Sequence, residues 1–62
     1  MNDDNVLKSI KVMIIDDSNT IRKSAEMFLR SSGYEVILAE DGFEAMSKIV
    51  DNQPDIIFID IV

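Results

Sequence analysis

Two short stretches decide the fold: Val12-Met13-Ile14-Ile15-Asp16-Asp17 and Ile56-Ile57-Phe58-Ile59-Asp60. Each is a four-residue apolar block without alternation, and each runs straight into acid. Such a block suits a strand buried on both faces of a parallel sheet better than a strand with one face in water. Between them lie two amphipathic patterns and one more strand. Ser18, Asn19 and Thr20 are all helix N-cap types, so a helix is expected to start there. Ile21, Ala25, Phe28 and Leu29 form its apolar stripe, while Arg22, Lys23, Glu26 and Arg30 lie largely off it. Ser31-Ser32-Gly33 ends it, with Gly33 suited to a left-handed cap.

Tyr34 to Ala39 opens with alternation, Tyr34, Val36 and Leu38 against Glu35, and reads as an edge strand with some exposure. Glu40-Asp41-Gly42 makes a turn, the stripe Phe43, Met46, Ile49 and Val50 describes a second helix, and Pro54 closes it. The order βαβαβ implies right-handed crossovers and a parallel sheet. With the two wholly apolar strands adjacent and the alternating strand outside the first, the strand order is 2-1-3. The class is α/β, the opening of a flavodoxin-like sheet. The third strand is then an edge without the charges or prolines that blunt edges. Its expected cover is a fourth strand beyond Val62; the alternative is self-association, a homodimer through the exposed third strand.

Composition narrows the function classes. The chain has 62 residues, no cysteine, and twelve acidic against six basic residues, a net charge of −6. That balance argues against nucleic acid and anionic lipid as partners. The absence of cysteine rules out disulfides and is compatible with a reducing, cytoplasmic setting. The longest apolar runs fall far short of the roughly 20 residues that span a bilayer, so no membrane segment is expected. Residues 1–10, opening Met1-Asn2-Asp3-Asp4-Asn5, read as a frayed, solvated leader rather than a signal peptide. Met1, Met13, Met27 and Met46 read as the initiator and core or helix fillers rather than a soft-metal site.

The chemistry is expected at the strand ends. Ligands of parallel α/β sheets collect outside the carboxyl ends of the strands, where strand order reverses. Asp16 and Asp17 end the first strand and Asp60 the third, so three carboxylates are expected at one mouth. An oxygen-only donor set selects a hard cation, and Mg²⁺ is commonly held by one or two carboxylates plus water. Mg²⁺ suggests phosphoryl transfer, with Asp60 as nucleophile. The plainer alternative is that Asp16 and Asp17 merely cap the first helix. Glu40-Asp41-Gly42 either approaches this mouth from the side or serves as turn and helix start.

The runs Val12 to Ser18, Asp41 to Ala45 and Pro54 to Asp60, in this order and at this spacing, resemble receiver domains of two-component response regulators. The finer likeness is to single-domain receivers of the chemotaxis and twitching-motility-like branch. The resemblance covers residues 11–62 and implies the N-terminal half of a receiver. It further implies that Asp60 is the phosphoacceptor for a histidine kinase or phosphotransfer protein in a phosphorelay. The Mg²⁺ ligands it implies are Asp17 directly, Asp16 largely through water, Asp60, and the backbone carbonyl of Val62. The family's Ser or Thr on the fourth strand, and its Lys and switching aromatic on the fifth, have no counterpart up to Val62, so impaired activity is expected. The protein is then a phosphoacceptor rather than an enzyme, at most catalysing its own phosphorylation and dephosphorylation. Two alternatives remain. One is a self-assembling fragment without chemistry; the other is a Mg²⁺-dependent phosphohydrolase, whose usual signature spaces its two aspartates by one residue where Asp16 and Asp17 are adjacent.

Overall fold

The computed structural model describes residues 9–60. Most of the expected leader, with Asp3 and Asp4, and the expected Val62 ligand lie outside the described residues. The elements are β1 (Lys11–Asp16), α1 (Asn19–Ser31), β2 (Glu35–Ala39), α2 (Gly42–Asn52) and β3 (Ile56–Asp60). They form one parallel sheet in the order β2-β1-β3, as the sequence predicts.

β1 is hydrogen-bonded on both sides, and Val12 through Asp16 are all buried. Its residues divide the core by alternation. Met13 and Ile15 pack with Ala39 and Ala45 on the α2 side; Val12 and Ile14 pack with Val36 on the α1 side. A run with no polar face fits a strand with a helix over each surface.

The helices are bounded as their end residues dictate. The Ser18 hydroxyl accepts the Ile21 N–H at 3.2 Å and caps α1. At the other end the Tyr34 N–H reaches the Leu29 carbonyl and the Gly33 N–H the Arg30 carbonyl, with Gly33 at φ 97°. That is a Schellman closure, which needs the positive φ that glycine adopts freely. Asp41 caps α2 by accepting the Glu44 N–H at 2.9 Å, and the Glu44 carboxylate reaches back to the Glu40 N–H at 2.7 Å. α2 ends one step before Pro54, on Gln53 in the left-handed region (φ 50°), with its N–H on the Ile49 carbonyl.

Both apolar stripes are corrected by the packing. On α1, Ala25 and Leu29 meet the core while Ile21 and Phe28 stay exposed. On α2, Ala45 is buried and Ile49 packs beside it, whereas Phe43 (92% exposed), Met46 and Val50 point away from the core. The reason is placement: α2 rests chiefly on β2, and α1 on β1 and β2. Neither helix covers β3, whose five residues are all exposed. The edge strand β2, by contrast, is covered on both faces. Val36 and Leu38 face α1, and Ile37 and Ala39 face α2.

Long basic side chains finish the frame. Arg30 donates to the Val36 carbonyl at 3.2 Å and Lys48 to the Leu38 carbonyl at 2.6 Å, so cations from both helices occupy alternate carbonyls of β2. Lys11 and Asp55 latch the entry of β3 to β1. The Lys11 N–H donates to the Asp55 carboxylate, the Asp55 N–H donates to the Lys11 carbonyl (both 2.8 Å), and the Lys11 ammonium reaches the Asn52 carbonyl.

Two outcomes follow from this packing. Met13 is fully buried, so Met13→Ala should cost about 2–5 kcal/mol. A chain of this length has roughly 3–9 kcal/mol in total, so urea denaturation followed by circular dichroism should show the variant's midpoint markedly lowered. Separately, the Glu40 N–H and then Lys48 hold the Glu44 carboxyl below its ordinary value of 4.5. The fold therefore favours ionised Glu44. That contribution is complete above pH 4.5 and is lost as pH falls through the lowered value. In an NMR acid titration the Glu40 amide should move with Glu44, and Glu44→Gln should abolish that movement.

Candidate functional site

The carboxyl ends of β1 and β3 lie side by side because the register pairs Ile15 with Ile59 and Asp16 with Asp60. Neighbouring strands run about 5 Å apart, so the two carboxylates emerge from adjacent backbones. Both line a groove of about 320 Å³ between α1 and β3. Ile14 and Phe58 floor it, Ile21 and Phe28 wall it, and Asp16 and Asp60 stand at the strand-end limit.

The two acids sit in different surroundings. Asp16 is only 4% exposed, and one carboxylate oxygen accepts the Ser18 N–H at 2.9 Å. Its backbone carbonyl accepts from the Arg22 guanidinium, which also bonds the Asn19 side chain. Asp60 ends an exposed strand. The result is one carboxylate held by the loop beside one open to an incoming molecule.

The structure answers the capping alternative. Ser18, not Asp16 or Asp17, caps α1; Asp16 instead braces the turn that delivers Ser18 to that position. Asp17 is exposed on the loop between β1 and α1. Among the described residues no three acidic or other metal-binding side chains are gathered as one cluster. The structure thus brings Asp16 and Asp60 together and leaves Asp17 at the side. The physical reason is the alternation of an extended backbone, which turns consecutive residues different ways. Glu40, Asp41 and Glu44 are absorbed in the cap of α2, so that acidic turn serves the helix start.

As donors, Asp16 and Asp60 fit a hard cation. Both offer carboxylate oxygen, and two such groups with water and a phosphoryl oxygen are a common Mg²⁺ environment. Arg22 is the residue that sequence reasoning passed over. Its position off the apolar stripe was legible, but its reach to the carbonyl of Asp16 depends on how α1 leaves β1.

Removing the Ser18 hydroxyl separates capping from chemistry. Ser18→Ala should destabilise the fold by about 1 kcal/mol, read as a lower urea midpoint, while the Asp16–Asp60 register remains.

The family described as the response regulator receiver domain matches residues 12–62. Protein PilG of Pseudomonas aeruginosa is 57% identical over 53 residues, covering 86% of this chain and 39% of PilG. Response regulator MprA of a Mycobacterium species (strain KMS) is 36% identical over 53 residues, covering 86% of this chain and 23% of that protein. MprA of Mycobacterium tuberculosis (strain H37Rv) is 35% identical over 54 residues, covering 87% and 24%. The chain therefore spans well under half of these relatives. No solved structure gives a significant match. Receiver domains are modules of two-component signalling, generally not enzymes in the ordinary sense. In general they bind Mg²⁺ at the phosphorylation site and meet histidine kinases or phosphotransfer proteins. With a matching family over most of its length and the corresponding βαβαβ sheet beneath it, this chain belongs to the response-regulator receiver domain family.

Proposed function

We propose that the chain is a phosphoacceptor module in which Asp60 takes a phosphoryl group from the phosphohistidine of a kinase or phosphotransfer protein. The observation that carries this reading is the register pairing of buried Asp16 with exposed Asp60 at the carboxyl end of the sheet. An Asp60 carboxylate oxygen attacks phosphorus, the P–N bond breaks, and the histidine leaves with its electron pair. Exposure lets Asp60 meet a donor presented on another protein. Asp16, held by the Ser18 N–H, keeps a second carboxylate beside the reacting centre without needing to reorganise.

Mg²⁺ would be held by Asp16 and Asp60, which the register sets side by side, with Asp17 from the adjoining loop and the Val62 carbonyl, which lies outside the described residues, as the further ligands that the resemblance implies. Its chemistry there is to offset the negative charge of phosphoryl group and carboxylates together. The phosphohydrolase reading lacks support, since Asp16 and Asp17 remain adjacent and Asp17 stands apart on the loop.

The test is intact-mass analysis after incubation with Mg²⁺ and a small acyl phosphate. The parent chain should gain the mass of one phosphoryl group, and both Asp60→Asn and chelation of Mg²⁺ should prevent it. An adduct of equal yield on Asp60→Asn would remove Asp60 from this role. No adduct on the parent chain would overturn the proposed activity for this chain.

A further inference from the structure

The turn from β1 into α1 carries Asp16, Asp17 and Ser18, and one side chain ties it down from the helix that follows. Arg22 lies one turn into α1, and helical side chains lean back toward the start of their helix. Its guanidinium donates to the Asp16 carbonyl and to the Asn19 side chain, while its backbone N–H donates to the Ser18 carbonyl at 3.0 Å. The Asp16 carboxylate accepts the Ser18 N–H from within the same turn.

The helix itself does not favour this placement. A cation over a helix N-terminus faces the positive end of the helix dipole, and α1 has no acidic residue in its first turn to offset it. Nor does Arg22 neutralise Asp16, since its partner there is the backbone carbonyl. What that bond fixes is a plane. The Asp16 carbonyl and the Asp17 N–H belong to one rigid peptide unit, so a fork that holds the first sets the direction in which the chain delivers Asp17. Asp17 is exposed, and its carboxylate takes its place from that backbone.

We propose that Arg22 is the positioning residue of the cation site: its hold on the Asp16–Asp17 peptide sets the Asp17 carboxylate beside the Asp16–Asp60 pair and so strengthens Mg²⁺ binding. The role rests on the Mg²⁺ site proposed above and adds to it a residue that touches neither metal nor phosphoryl group. A binding site needs its groups held within about 0.5 Å of the productive geometry, and a ligand on a loop meets that only if its backbone is fixed. The planar guanidinium bonds two acceptors in one orientation, which a lysine ammonium on its flexible stem does not.

The sign of the effect separates this role from that of a simple charge. As a bare cation Arg22 repels Mg²⁺, so its removal would tighten binding. As a clamp it organises the ligands, so its removal weakens binding even though a repelling charge has gone.

The discriminating experiment is a titration with magnesium chloride alone, without phosphoryl donor, on the parent chain, Arg22→Gln and Arg22→Lys. The backbone amide NMR signals of Asp17 and Ser18 report Kd, and urea midpoints without metal report stability. Circular dichroism checks that each variant keeps its helices. Asn19→Ala, which removes the other acceptor of the guanidinium and leaves every charge in place, stands in for a variant that does not. Each variant should raise the Mg²⁺ Kd, Arg22→Gln by about tenfold, the lower end of the cost of losing a residue behind a metal ligand. A Kd unchanged or lowered in any folded variant would overturn the positioning role, even with a lowered urea midpoint, because a merely structural contact weakens the fold and not the folded chain's affinity. A parent chain whose amides do not respond to Mg²⁺ would overturn the metal site and this role with it. A responsive parent with unaffected variants would overturn this role alone.

Discussion

The parallel register between β1 and β3 is the constraint on which the rest of the molecule depends. Val12 through Asp16 are buried because strands lie on both sides and a helix lies over each face. A one-residue slip of β3 would turn Asp60 to the α2 side and bring Ile59 beside Asp16. The pairing of Asp16 with Asp60 therefore follows from the hydrogen-bonding that holds β1 at the centre. Lys11 and Asp55 secure the same register at the opposite end of the strands, through two short backbone contacts and the reach of the ammonium to Asn52.

Around that strand the helices are placed asymmetrically. Both lean toward β2, so the core is concentrated between β1, β2 and the inner faces of α1 and α2. Ala45 and Ala25 allow close approach because they are small. Of the larger residues left exposed, Ile21 and Phe28 line the groove beside β3, while Phe43 and Met46 stand on the open face of α2. The groove ending at Asp16 and Asp60 is a product of this offset, since α1 covers Ile14 but stops short of Phe58. Site and exposed apolar surface thus share one origin.

The electrostatics of the chain are arranged locally. Arg30 is shared between Glu26 and the Val36 carbonyl, and Lys48 between Glu44 and the Leu38 carbonyl. These are exposed ion pairs of small individual value, yet each also lends its cation to a strand carbonyl. Among the described residues the cation beside the acidic strand ends is Arg22, and it engages the Asp16 carbonyl rather than a carboxylate. Receiver domains in general bind Mg²⁺ at their phosphorylation site, and the carboxylates of Asp16 and Asp60 offer an oxygen donor pair.

Much of this was legible in the sequence because short-range rules decide it. The unbroken apolar runs at Val12 and Ile56 set two strands side by side in the order 2-1-3; the first is buried as that pattern implies, while the second, read the same way, stands exposed, and Ser18, Gly33 and Asp41 carry the chemistry of helix ends. The nearness of Asp16 and Asp60 followed once the strand order was known. Tertiary structure alone decided which half of each apolar stripe is buried, because a stripe records a helix's apolar face and not its lateral position over a sheet. It also decided that Asp16 braces a loop while Asp17 lies exposed, and that Arg22, Lys11 and Lys48 hold backbone carbonyls. Those contacts depend on where separate segments meet, and no local pattern encodes that meeting.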